Sequence, residues 1–229
     1  MLRRNLNSDF VGGAYVFPGG GVDAADTDLA RYVLGLTDES ASRRLGLESG
    51  GLAYYAAALR ELFEEAGLLV VCDEAGEPLA ATPEVLTYLS EFRAELNAGR
   101  RGLDELLEEQ LWRLDVRAME YLAHWITPLG PPRRYDTRFF VVTAPSGQVA
   151  VHDAHETVAA RWIGPSEALA AHSRGELEMI FPTIRTLQEI AGLASVAEVL
   201  GHAAARTPRV RQPRLLERDG EIQIVLDEE

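Results

Sequence analysis

The 229-residue chain has one cysteine, Cys72, and no lysine; all 22 of its basic residues are arginine. A lone thiol excludes an internal disulfide, and with it the disulfide-stapled secreted scaffolds. The absence of lysine excludes a catalytic amine. No run approaches 18 apolar residues, so no transmembrane helix is expected. The start, Met1-Leu2-Arg3-Arg4-Asn5, lacks the apolar stretch of a secretory signal. Basic residues are outnumbered by 36 acids, for a net charge of −14, and a surface so poor in cations disfavours nucleic acid as a general partner. These absences predict a cytoplasmic protein with neither a membrane nor a nucleic-acid partner. What is present is ordinary globular material, 47% hydrophobic and 25% charged, enough for one large domain.

The most informative stretch is Arg60-Glu61-Leu62-Phe63-Glu64-Glu65-Ala66-Gly67-Leu68. At helical spacing, Glu61, Glu64 and Glu65 share an arc of roughly 100°. Leu59, Leu62, Phe63 and Ala66 form the opposite, core-facing stripe. Gly67 suits the left-handed residue that ends a helix. Like charges this close repel, and a hard divalent cation, which prefers carboxylate oxygens, turns that repulsion into binding. Glu61, Glu64 and Glu65 are therefore candidate ligands for Mg2+ or Mn2+.

Along the chain, residues 13–18 read as a strand entering the turn Gly19-Gly20-Gly21, and 27–51 as a polar insertion with one short helix near 28–35. The acidic helix spans 52–66, and 68–72 is a buried strand by its apolar run. Helices are predicted over 83–97, with Thr82 as N-cap and Pro83 in the first turn, and over 103–114. The leucines of the latter suit a core, or a homodimer face. Strands follow near 119–127, 137–144 and 158–163. A helix capped by Ser166 and another over 182–192 come next, and the tail, 206–229, reads as a hairpin about Asp219-Gly220. One domain with a helical excursion over 83–114 is the simplest division.

Residues 60–68 resemble the second half of the Nudix hydrolase signature at every fixed position. Its first half is matched by Gly20, with Asp26 where a glutamate is expected and about 26 extra residues before Arg60. An unsplit alignment puts Leu52 at that acidic position, which is worse chemically. The split form, with Phe17-Pro18-Gly19-Gly20, Trp125-Ile126-Thr127-Pro128 and Arg134-Tyr135-Asp136-Thr137-Arg138-Phe139-Phe140, is similar to the subgroup of peroxisomal coenzyme A diphosphatases. The C-terminal Leu226-Asp227-Glu228-Glu229 differs from a Ser-Lys-Leu peroxisomal address.

The resemblance implies an α/β fold, the Nudix α/β/α sandwich with a mixed sheet, here with an insertion inside the signature and an added helical pair. It also implies metal-dependent cleavage of a nucleoside diphosphate linked to another moiety, with coenzyme A or acyl-CoA favoured. ADP-ribose, NADH or another nucleotide conjugate is the alternative substrate, and a non-catalytic ligand-sensing domain the alternative class. By position, Glu61, Glu64 and Glu65 would hold Mg2+ or Mn2+, Arg60 would orient them, and the backbone of Gly19 and Gly20 would line the site. Glu156, six residues before Trp162, is the candidate base; Asp26 is the weaker candidate, because the insertion separates it from the helix. Arg133, Arg134 and Arg138 could clamp phosphates, although Asp136 shares a strand face with Arg138 and competes as an internal partner. Trp125, Tyr135 and Trp162 could stack on a base, and His152 and His155 are read as loop residues rather than zinc ligands. A full strand usually precedes the glycine turn in this family. The sequence therefore predicts an apolar stretch of about four to eight residues encoded in frame upstream of Met1, which the genomic sequence checks.

Overall fold

The computed structural model describes residues 1–6, 11–131, 133–218 and 221–226. The chain starts as β1 (Leu2–Arg4), returns as β2 (Tyr15–Val16), and passes through α1 (Ala24–Leu29), a 3-10 turn and β3 (Val33–Leu34). Two helices follow, α2 (Asp38–Leu45) and α3 (Gly51–Ala66), then β4 (Val71–Cys72) and the helical pair α4 (Pro83–Asn97) and α5 (Leu103–Gln110). Strands β5 (Arg113–Asp115), β6 (Met119–Ile126), β7 (Asp136–Val142) and β8 (Thr157–Ala160) come next. The chain continues through α6 (Pro165–Ser173), α7 (Phe181–Ile190), α8 (Val196–Ala204), β9 (Val210–Arg211), β10 (Arg214–Arg218) and β11 (Glu221–Val225).

The strands pair in four ladders, β2-β1-β8, β3-β5-β4, β7-β6-β9 and β10-β11. β3 with β5 and β6 with β9 run parallel; the remaining pairs are antiparallel. The mixed character expected from the sequence is thus distributed over small ladders with helices packed around them. The larger core gathers about α3, whose Tyr55, Leu59 and Phe63 are buried with Leu106, Leu114 and Met119.

Several elements differ from the sequence reading, each for a local reason. The strand read over 68–72 shrinks to Val71–Cys72. Leu69 instead exchanges hydrogen bonds with the Gln148 side chain, at 2.8 and 2.9 Å, so an amide replaces a neighbouring strand. The helix read over 103–114 stops at Gln110, because Leu111 turns left-handed (φ 56°), and Leu114 is buried on β5. The insertion holds the end of α1, the 3-10 turn and all of α2, not one helix near 28–35. Ser166 lies inside α6, which Gly164 caps, and its hydroxyl donates to Ala191 O. The unread α8 has Ser195 as its N-cap, accepting from Glu198 N. β10 and β11 pair from Arg214↔Val225 to Arg218↔Glu221; the expected Asp219-Gly220 turn lies outside the described residues.

The insertion returns the chain to α3 through close contacts. Gly51 N donates to Ser42 Oγ, and a Cβ on Gly51 would meet Ser42 N at 2.2 Å, so only glycine allows this approach of α2 to α3. No side chain of its own caps the start of α3. Asp38, from α2, accepts from Leu52 N at 3.0 Å and Gly50 N at 2.9 Å, which satisfies donors a helix start leaves open. Those N–H groups, Leu52 first, hold the Asp38 carboxyl below its ordinary value of 3.8. A depressed folded-state pKa contributes stability above the unfolded value and loses it as pH falls. Asp38→Ala is expected to cost about 1–2 kcal/mol near neutrality. The deficit should narrow once pH falls below 3.8, as urea titrations of both proteins across pH would measure.

Candidate active site

The acidic residues of α3 sit where the insertion, the glycine turn and the start of β8 meet. Gly50 and Gly67, both left-handed, bound the helix, and its alanines favour it in between. Its last turn is held from outside: Arg93 Nε and Asn97 Nδ2, both on α4, donate to Glu64 O at 2.9 and 3.1 Å. A carbonyl that a helix end leaves unpaired is thereby satisfied.

Arg60 is the hub. Its Nε and Nη2 grip both oxygens of Asp26, at 2.8 and 3.0 Å, and Nη2 also donates to Gly21 O. Nη1 donates to Glu61 Oε1 at 2.8 Å and Glu64 Oε2 at 2.9 Å. Asp26 is wholly buried and Arg60 is 9% exposed. Burial works against the Arg60 charge, but the hydrogen bonds to Asp26 and the charges of Glu61 and Glu64 outweigh it and raise its pKa. Asp26, the weaker candidate in the sequence, is thus the carboxylate that Arg60 grips through both oxygens. The insertion loops out and returns rather than carrying it away.

Glu65 is buried, and its Oε2 accepts from Gly19 N at 3.0 Å. Burial, opposed by that N–H and reinforced by the charges of Glu61 and Glu156, pushes the Glu65 carboxyl up to about 7. Burial also raises Glu61 and Glu64, against the pull of Arg60. Gly20 lies against Glu61: a Cβ there would stand 2.3 Å from Glu61 Oε1. The glycine turn therefore meets two carboxylates of α3, one by hydrogen bond and one by close approach. Glu156 faces the same group, since its charge acts on both Glu61 and Glu65. Its loop is fixed by Asp153, which accepts from Glu156 N at 2.9 Å and Thr157 N at 2.8 Å, and by Asn5 N, which donates to Glu156 O.

Glu61, Glu64, Glu65, Arg60, Glu156, Gly19 and Gly20 are thus brought together. Arg138 is not among them; it is buried on β7, ion-paired to Asp136 at 3.0 Å and stacked on Tyr54. Arg134 is exposed and donates to Thr127 O. Trp125 belongs to the interior, edge-on to Phe181, whereas Trp162 is 67% exposed. Among the described residues no three His, Cys, Asp or Glu side chains converge as a ready-made metal-binding group, and His152 and His155 form none with their acidic neighbours. In kind the α3 set still fits a hard divalent cation. Its donors are all carboxylate oxygens, burial and mutual repulsion raise their pKa values, and the missing Cβ of Gly20 lets the glycine turn close onto Glu61.

An α/β fold with this acidic helix behind a glycine turn defines a Nudix hydrolase. The crystal structure of a NUDIX hydrolase from Alicyclobacillus acidocaldarius is similar, with a TM-score of 0.67 and 26% identity, covering 87% of this chain and 86% of that one. The family model described as the NUDT19 Nudix domain matches residues 37–190, and the chain belongs to that family. Acyl-coenzyme A diphosphatase NUDT19 of Homo sapiens is 26% identical over 265 residues, spanning all of this chain and 71% of that protein. The proteins of that name from Xenopus laevis and Gallus gallus are 25% and 28% identical; each alignment covers 87% of this chain, and 61% and 62% of those proteins. No helix among the described residues is long and apolar enough to cross a membrane.

The Arg60–Asp26 pair yields a stability prediction. Asp26→Asn or Arg60→Gln alone leaves its partner buried without compensation and is expected to cost about 3–5 kcal/mol. The double substitution should cost clearly less than the sum of the two. Additive losses in urea denaturation would mean that the contact does not couple the two residues.

Proposed function

We propose that the protein is a divalent-metal-dependent diphosphatase of coenzyme A or acyl-CoA, releasing a phosphopantetheine product and adenosine 3′,5′-bisphosphate. One observation carries the reading: a partly buried carboxylate set, Glu61, Glu64 and Glu65, held by Arg60 and the glycine turn, with the charge of Glu156 acting on it. The substrate choice leans on the relatives' printed activity, acyl-coenzyme A diphosphatase.

In this reading Glu61, Glu64 and Glu65 would hold Mg2+ or Mn2+, which when bound neutralises diphosphate oxygens and lowers the pKa of water. The chain's residues do the rest. Arg60 fixes the Glu61 and Glu64 rotamers from behind while Asp26 balances its charge, so it positions ligands rather than touching substrate. The Gly19 N–H orients Glu65 through Oε2. Gly20, lacking a side chain, lets the Glu61 carboxylate lie directly against the turn. Glu156, whose backbone Asp153 and Asn5 fix, is the carboxylate assigned to accept the proton of the attacking water.

The test is turnover of coenzyme A, an acyl-CoA, ADP-ribose and NADH with Mg2+ or Mn2+. Coenzyme A or its acyl ester should be cleaved fastest, and chelation with EDTA should abolish the reaction. Glu65→Gln should lose about two decades or more in kcat with the fold unchanged by circular dichroism. Turnover of ADP-ribose with coenzyme A untouched would overturn the substrate; no turnover at all, with nucleotide still bound, would favour a ligand sensor.

A further inference from the structure

A second polar feature lies on the same side of α3 as its carboxylates. Tyr54, Ala58, Glu61 and Glu65 share an arc of roughly 60°, and Tyr54 stands about 10 Å along the axis from Glu61. All four sit on the less buried side of a helix whose opposite face is core, with Glu65 the most enclosed. The Arg138 guanidinium stacks on the Tyr54 ring, 4.7 Å from its centroid. That side chain is 7% exposed, and although Nη1 pairs with Asp136, Nε is buried with no hydrogen-bond partner.

The neighbouring hydroxyls share this condition. Tyr121 and Tyr55 pack on Phe140 from β6 and α3, with centroids at 5.7 and 4.7 Å, and both hydroxyls are buried without a hydrogen-bond partner. Burial pushes the Tyr121 hydroxyl up to about 12, so near neutrality it keeps its proton and can donate. A cavity of about 300 Å³ opens beside Tyr121, walled by Arg44, Glu120 and residues 203–208. Arg206, in that wall, also has a buried Nε without a partner.

Unspent buried donors therefore remain in this corner, Arg138 Nε, Arg206 Nε and two phenols, although the guanidiniums of Arg138, Arg44 and Arg206 are ion-paired to Asp136, Glu120 and Glu189. Buried donors of this kind are costly unless something accepts from them. A phosphomonoester offers several acceptor oxygens and the charge that suits a guanidinium.

We propose that the face formed by Tyr54, Tyr121 and Arg138 is a second phosphate subsite, which takes a phosphomonoester that the substrate carries outside its scissile diphosphate. The proposal rests on the reading of the α3 carboxylates as the diphosphate site and adds to it a basis for choosing among substrates. Arg138 is the main donor, the Tyr121 hydroxyl the second, and Tyr54 keeps the guanidinium plane facing the cleft. Nucleotide conjugates lacking the extra phosphate leave these donors unmet and are selected against.

The test compares coenzyme A with dephospho-coenzyme A, which differ only in the 3′-phosphate. Wild-type kcat/KM should favour coenzyme A by roughly tenfold or more, chiefly through KM. Arg138→Gln and Tyr121→Phe should each pull the ratio toward one. The phenylalanine variant removes a single oxygen atom and guards against misfolding of the arginine variant. Calorimetry of wild type with adenosine 3′,5′-bisphosphate and with adenosine 5′-monophosphate should give the same order of affinity without relying on turnover. Equal cleavage of the two coenzymes together with equal affinity for the two nucleotides overturns the subsite and leaves the diphosphatase reading standing. If neither coenzyme is cleaved, the diphosphatase reading falls and the nucleotide affinities alone decide the subsite.

Discussion

The site depends on one buried cation. Arg60 is gripped through two nitrogens by the wholly buried Asp26 and spends a third on Glu61 and Glu64. A guanidinium is suited to this, since its planar fork serves several oxygens at once and stays charged when desolvated. The geometry also closes the split signature. Asp26 and Arg60 are 34 positions apart in the chain, yet they make the most buried ion pair of the site. Whatever lies between them must bring the chain back to this contact, or a carboxylate and a guanidinium are left desolvated and alone.

The segments that look like embellishments therefore have structural work at α3. The insertion supplies Asp38, which takes up N–H groups at the helix start. The helical excursion supplies Arg93 and Asn97, which meet the Glu64 carbonyl near its end. Asp38 at the start and Arg93 near the end also match the helix dipole, acid first and base last. With both ends pinned by side chains from elsewhere, and its apolar face in the core, α3 holds its carboxylates at a fixed position and rotation.

How much of this was legible in the sequence follows from range. The acidic helix, its bounding glycine and the capped start of α4 rest on contacts within a few residues, and spacing alone reveals those. The brief strand at Val71–Cys72 and the early end of α5 depend on Gln148 and on the left-handed Leu111, neither of which leaves a periodic trace. Ser195, a capping serine three residues before Glu198, is the local signal for α8. At the site the same division holds. Glu61, Glu64 and Glu65 announce themselves by pattern, whereas Asp26 is discounted by distance along the chain, the one measure that a returning loop makes irrelevant. Arg138, a candidate phosphate clamp by sequence, pairs with Asp136 and stacks on Tyr54, about two turns of helix from Glu61.

The electrostatics of the cleft set a constraint on any ligand. Glu61, Glu64, Glu65 and Glu156 crowd one end, where Arg60 pairs with Glu61 and Glu64, and desolvation holds the first three above ordinary carboxylate values. Buried donors without a partner lie towards both ends, Arg4 Nε and Arg93 Nη2 near Glu65, and Arg138 Nε and the Tyr121 hydroxyl near Tyr54. A ligand lying along α3 thus meets four carboxylates near Glu65 and a guanidinium with phenols near Tyr54. On the proposed reading, a polyanion engages the guanidinium end directly and the carboxylate end only in company with a cation, so the charge along one helix favours a phosphorylated ligand before any detail of its base or acyl group is considered.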